Sequence, residues 1–141
     1  MTMTAKEFLK QYEYAEKRAQ RLREMYQTQH EKIDAISSTL GGDGMPHGSG
    51  ISRKTEDKAI KLAEAALKWK EAELDALRVK GEVFELICGI PDIEGEVLYE
   101  RYVNLHSWEE VCVIIHRSWT GTHKAHRRAL AIVQDLLDKR V

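Results

Sequence analysis

Between positions 116 and 128 the chain carries Arg117, Lys124, Arg127 and Arg128 with His116, His123 and His126, and no acid among them. Cations without neighbouring carboxylates suit an anionic partner, and a guanidinium fork matches phosphate oxygens or the acceptor edge of guanine. Read as a helix, positions 120, 123, 124 and 127 share one face. Arg127 and Lys124 are then candidates for phosphate or guanine acceptors, and Thr120 for a thymine methyl or a base edge. His123 can donate to a phosphate or a base. Arg117 and Arg128 suit the nucleic-acid backbone, where contacts set register without reading sequence. Ser118 and Trp119 complete the candidate surface at the start of this helix.

This chemistry is recognition rather than bond-making. No carboxylate stands in an apolar context that suggests a general acid or base, so no enzyme is expected. His123 and His126 lack nearby cysteine or carboxylate partners, which argues against a metal. The glycine-rich stretch Gly41-Gly42-Asp43-Gly44-Met45-Pro46-His47-Gly48-Ser49-Gly50 follows a helix and lacks the Gly-Lys-Ser/Thr ending of a phosphate loop. No cofactor is expected.

Two short helices must position the cations. Ser107 with Glu110 three residues on forms a capping box that starts the first, whose inward face is Val111, Ile114 and Ile115. A bend follows near 116–118. Ser118 caps the second helix, with Thr122, Ala125, Ala129, Ile132, Val133 and Leu136 inward. Such a helix-turn-helix presents its second helix to the major groove of double-stranded DNA. Trp108 reads as packing.

The run Ser107-Trp108-Glu109-Glu110-Val111 through Arg128-Ala129-Leu130, preceded by Arg101-Tyr102-Val103, resembles region 4 of bacterial sigma factors. It is most similar to the sigma-like regulators of phages and prophages of Gram-positive bacteria, the RinA/ArpU/LtrC-like group. The loop Gly44-Met45-Pro46-His47-Gly48-Ser49-Gly50 is similar to the linker in that set, so the resemblance spans nearly the whole chain. It implies a DNA-binding regulator of transcription that reads promoter DNA in the bacterial host cytoplasm. Three positions depart from the pattern: His116 stands where glycine is usual, Gly121 lies inside the recognition helix, and Trp119 replaces a small polar or basic residue. Histidine tolerates positive φ better than most residues, which keeps the turn accessible.

The remainder of the 141 residues reads as the holder of this element. Hydrophobic residues at 43% and charged residues at 32% describe an ordinary globular chain. A net charge of −1 requires the positive charge to act locally, with modest, salt-sensitive affinity that favours a homo-oligomer, a dimer first. Phe8, Tyr12, Ala15, Ala19, Leu22, Tyr26, Gln29, Ile33, Ile36 and Leu40 form a heptad seam. A looser one follows in Ile60, Ala63, Leu67, Lys70, Leu74, Leu77, Gly81, Phe84 and Cys88. The expected fold is all-α: a long antiparallel, coiled-coil-like hairpin over 1–89, with a Gly-rich loop at 41–52, then a helix-turn-helix domain over 90–141. Leu9, Met25, Leu62 and Trp69 lie off both seams and await a cover from another chain. Cys88 and Cys112 read as buried free thiols. No run reaches the roughly 20 apolar residues of a membrane span. Two rival functions remain: a small-terminase-like DNA packaging subunit, and a protein-interaction module that contacts RNA polymerase.

Overall fold

The computed structural model describes residues 3–40 and 49–140. Among them every regular element is helical: α1 (Ala5–Leu40), α2 (Ser49–Cys88), α3 (Asp92–Leu98), a π-helical turn (Tyr99–Val103), α4 (Trp108–Ile115) and α5 (Trp119–Asp138). The Gly-rich loop expected at 41–52 lies outside the described residues as far as 48, and α2 already begins at Ser49. No described helix is long and apolar enough to cross a membrane.

Helix α1 starts on a reciprocal cap. The Thr4 hydroxyl accepts from the Glu7 amide at 3.2 Å, and the Glu7 carboxylate accepts from the Thr4 amide at 3.1 Å. Two of the amides left over at a helix start are thereby satisfied. From Phe8 to Ile33 every position of the expected α1 seam is buried or half-buried. The side chains of Ile36 and Leu40 lie outside the description.

Helix α2 overturns its expected seam. Ile60, Leu67, Leu74, Leu77 and Phe84 are exposed, with Ala63, Lys70, Gly81 and Cys88 exposed beside them. The inward stripe is Leu62, Ala65, Trp69, Ala72, Ala76, Val79, Val83 and Leu86, which includes residues expected to need a foreign cover. This stripe has alternating steps of three and four and no polar or glycine break. Turning the expected row inward would take Lys70 out of water, whereas the observed row brings no charge inward.

Contacts divide the chain into two compact units, Met1–Ala15 with Asp75–Val141, and Glu16–Leu74. The expected boundary near 89 coincides with the end of α2, whereas these units part within α1 and α2. In the first unit Ala5, Phe8, Leu9 and Tyr12 of α1 join Ala76, Val79, Val83, Leu86 and Ile87 of α2. Ile90, Leu98, Tyr102, Val103, Ala129 and Val133 complete that core. Gln134 on α5 accepts from the Ala5 amide at 2.8 Å, tying the last helix to the first. A smaller cluster, Val97, Val111, Ile115 and Ala125 with Ile93 and Trp108, joins α3, α4 and α5. Close approach inside this unit depends on Gly95: a Cβ there would lie 2.1 Å from the Ile90 carbonyl oxygen.

The second unit is thinner. Among its described residues only Ala19 and Ala72 are fully buried apolar side chains. Tyr26 stacks on Trp69 with ring centroids 5.3 Å apart, and the Trp69 indole donates to Glu73 at 2.7 Å. Lys70 lies over the same indole at 4.5 Å.

Candidate nucleic-acid interface

The start of α4 follows from Ser107. Its hydroxyl accepts from the Glu110 amide at 3.2 Å and donates to the Glu110 carboxylate at 3.1 Å. His106 adds a 2.6 Å contact from Nδ1 to the same carboxylate. The His106 bond first, then the Ser107 bond, holds the Glu110 carboxyl below its ordinary range. Acid in the first turn also complements the helix dipole.

The bend after α4 is set by His116, which takes φ 57° and ψ 45°. The Arg117 amide donates to the Cys112 carbonyl at 3.1 Å, and the His116 amide to the Val113 carbonyl at 3.3 Å. This paired reverse bonding is the Schellman pattern, in which a left-handed residue, usually glycine, closes a helix. Ser118 then opens α5 by accepting from the Gly121 amide at 3.1 Å. Gly121 sits against this cap: a Cβ would stand 3.2 Å from the Ser118 hydroxyl. A residue costly inside a free helix thus leaves room for the bond that starts this one.

An aromatic column supports the first turns of α5. Trp119 lies 4.4 Å from the His123 ring, and Trp108 lies 4.6 Å from both His123 and His126. Arg101 covers Trp108 at 4.9 Å and donates to the His106 carbonyl at 2.9 Å. At the foot of the column the Tyr102 hydroxyl and His126 Nε2 share a hydrogen bond of 2.7 Å. Burial pushes the His126 imidazole down to about 4, with lesser contributions from His123, Lys6 and Arg101. Burial likewise pushes the Tyr102 phenol up to about 12. Both groups are therefore neutral at pH 7.

The eight candidate residues separate into three environments. Arg117, Ser118, Trp119, Thr120, Lys124 and Arg127 are exposed. Among the described residues Lys124 and Arg127 have no carboxylate within ion-pair distance. Arg128 is exposed but engaged: its Nε donates to Glu94 on α3 at 2.9 Å, a bond that leads in lowering the Glu94 carboxyl. His123 is half-buried between two indoles, and its Nε2 is buried without a hydrogen-bond partner. It belongs more to the column than to the outer face.

Two inward assignments change. Ile114 and Ile132 are exposed, and His126 takes a place in the interior instead. A histidine at the inward spacing of Thr122, Ala125 and Ala129 carried that signal, but its polarity concealed it. Cys88 is exposed and Cys112 half-buried, so neither is the fully buried thiol expected, and both are free. Among the described residues no three His, Cys, Asp or Glu side chains converge as metal ligands. No family model, curated protein or solved structure matches the chain.

Proposed function

We propose that α4 and α5 act as a sigma-like helix-turn-helix, and that the protein is a phage- or prophage-type transcriptional regulator reading promoter DNA in the major groove. One observation carries this reading: Lys124 and Arg127 stand exposed and free of carboxylates on a helix fixed at its start by a serine cap and an aromatic column. A preorganised cationic edge loses little entropy when it meets phosphates or base acceptors. Thr120 lies on the same edge, and Arg117 flanks it from the bend. The antiparallel pairing of α1 and α2 is the platform for self-association, which adds a second reader and offsets the small number of cations.

Gel-shift titration across a salt series tests the reading. Specific binding with a steep salt dependence is expected, and Arg127→Ala should weaken it by about 1–3 kcal/mol if that side chain pairs with a base. Weak, equal binding to every sequence would exclude a specific regulator. A protein-contact reading has one observation in its favour: Val113 and Ile114 are exposed beside Glu109 on α4. Capture of RNA polymerase without DNA, lost in Val113→Glu, would favour that alternative.

A further inference from the structure

We infer that the groove between the end of α2 and the segment formed by α3 and the π-helical turn binds an arginine-bearing stretch of a partner protein. The groove has a volume of about 510 Å³ and lies wholly within the first compact unit. One wall is apolar, with buried Ile87 and Ile90 beside exposed Phe84. Tyr99 of the π-helical turn meets Phe84 with ring centroids 5.9 Å apart and planes tilted by 60°. Both rings stay partly open to water, at 43% exposure for Phe84 and 36% for Tyr99. The other wall is acidic: Asp92, Glu96 and Glu100 follow at steps of four, which places them on one side of the segment. Gly95, which lets α3 lie against the Ile90 carbonyl, adds no side chain to the space.

The acid is not answered from within the unit. Among the described residues no cation lines the groove, and none lies within ion-pair distance of Asp92 or Glu96. Glu100 turns one oxygen to the Asn104 amide at 3.1 Å and to His106 at 3.4 Å, which leaves its other oxygen for a ligand. Cations near in sequence are engaged elsewhere: Lys80 lies over Tyr12 at 5.4 Å, Arg101 over Trp108 at 4.9 Å, and Arg128 donates to Glu94 at 2.9 Å. Aromatic faces opposite carboxylates select a cation with a flat or apolar body. Arginine suits both walls, because its planar guanidinium stacks on a ring and pairs with a carboxylate through two parallel N–H bonds. Lysine brings only a point charge on a flexible stem. Helix neighbours four positions apart stand about 5–6 Å from one another, close to the roughly 6.6 Å between every second residue of an extended chain. An extended segment with arginine at alternate positions therefore matches successive carboxylates. This inference does not rest on DNA binding, since these carboxylates repel nucleic acid, and either can fail alone.

Titration of the full chain with the peptide acetyl-Gly-Arg-Gly-Arg-Gly-amide, followed by amide NMR, tests it. Saturable shifts should centre on Phe84, Glu96 and Tyr99, and affinity should fall as salt rises. The same peptide with citrulline for arginine keeps the shape without the charge and should bind roughly tenfold more weakly or worse. A lysine peptide should bind roughly threefold more weakly, for want of stacking and paired bonds. Asp92→Asn with Glu96→Gln should weaken the arginine peptide roughly fivefold, and Phe84→Ala roughly threefold, each with unchanged helical circular dichroism. The citrulline and lysine comparisons use the unaltered protein and decide the matter even if a variant fails to fold. Absence of saturable shifts, equal binding of the citrulline or lysine peptide, or shifts centred on Glu71, Glu73 and Asp75 of α2 instead, overturns the proposal.

Discussion

The two compact units use the same pair of long helices in opposite ways. Where α1 and α2 meet α3, the π-helical turn and α5, large side chains such as Leu9, Val83 and Leu98 are sealed from water. In the unit Glu16–Leu74 the same helices bury mainly alanine, and their large groups, Tyr26 and Trp69, are only half covered. Two helices alone can hide one stripe each. Additional elements crossing that stripe turn a seam into a core, and most hydrophobic stabilisation follows the area they cover.

Truncation should expose this contrast most strongly. Leu9→Ala should cost about 4 kcal/mol in chemical denaturation, while Leu22→Ala, half-buried in the thinner unit, should cost no more than about 1.5 kcal/mol. Equal losses would erase the distinction. Gly95→Ala should cost about 3 kcal/mol, because the new methyl meets a backbone oxygen rather than a movable side chain. A neutral result would mean that the close approach of α3 to Ile90 is dispensable.

Acid should separate the units next. The folded His126 imidazole, held near 4 against 6.5 for the free group, contributes stability that is complete above pH 6.5 and fades as pH falls toward 4. The amount at stake is about 3 kcal/mol, at about 1.4 kcal/mol per pKa unit. Urea midpoints measured across that range should fall for the wild type and flatten for His126→Phe. The smallest effect is of opposite sign. Thr122 is fully buried and its hydroxyl has no partner, so Thr122→Val should stabilise by about 1 kcal/mol in thermal unfolding.

The features legible in the residues were those decided within one or two helical turns. Ser107 with Glu110, Ser118 before α5, and a left-handed His116 are local solutions to amides and carbonyls left over at helix ends. The α1 seam was legible because that helix has one dominant apolar row. Helix α2 has two rows on opposite faces, and periodicity alone does not choose between them. Likewise, a cation on a helix announces its charge but not its neighbour: Arg128 rests on Glu94, 34 positions away in sequence, while Arg127 meets solvent.

The residues by themselves determined the helical class, the caps, the bend at 116–118 and the local excess of cations, because each depends on short-range backbone chemistry and spacing. Only the tertiary structure decided which α2 face is inward, that His126 is interior, and that the chain's first fifteen residues share a unit with its last helix. Those outcomes are competitions between apolar surfaces and partners far apart in sequence. They are settled by which combination removes most carbon from water while leaving fewest polar groups unpaired.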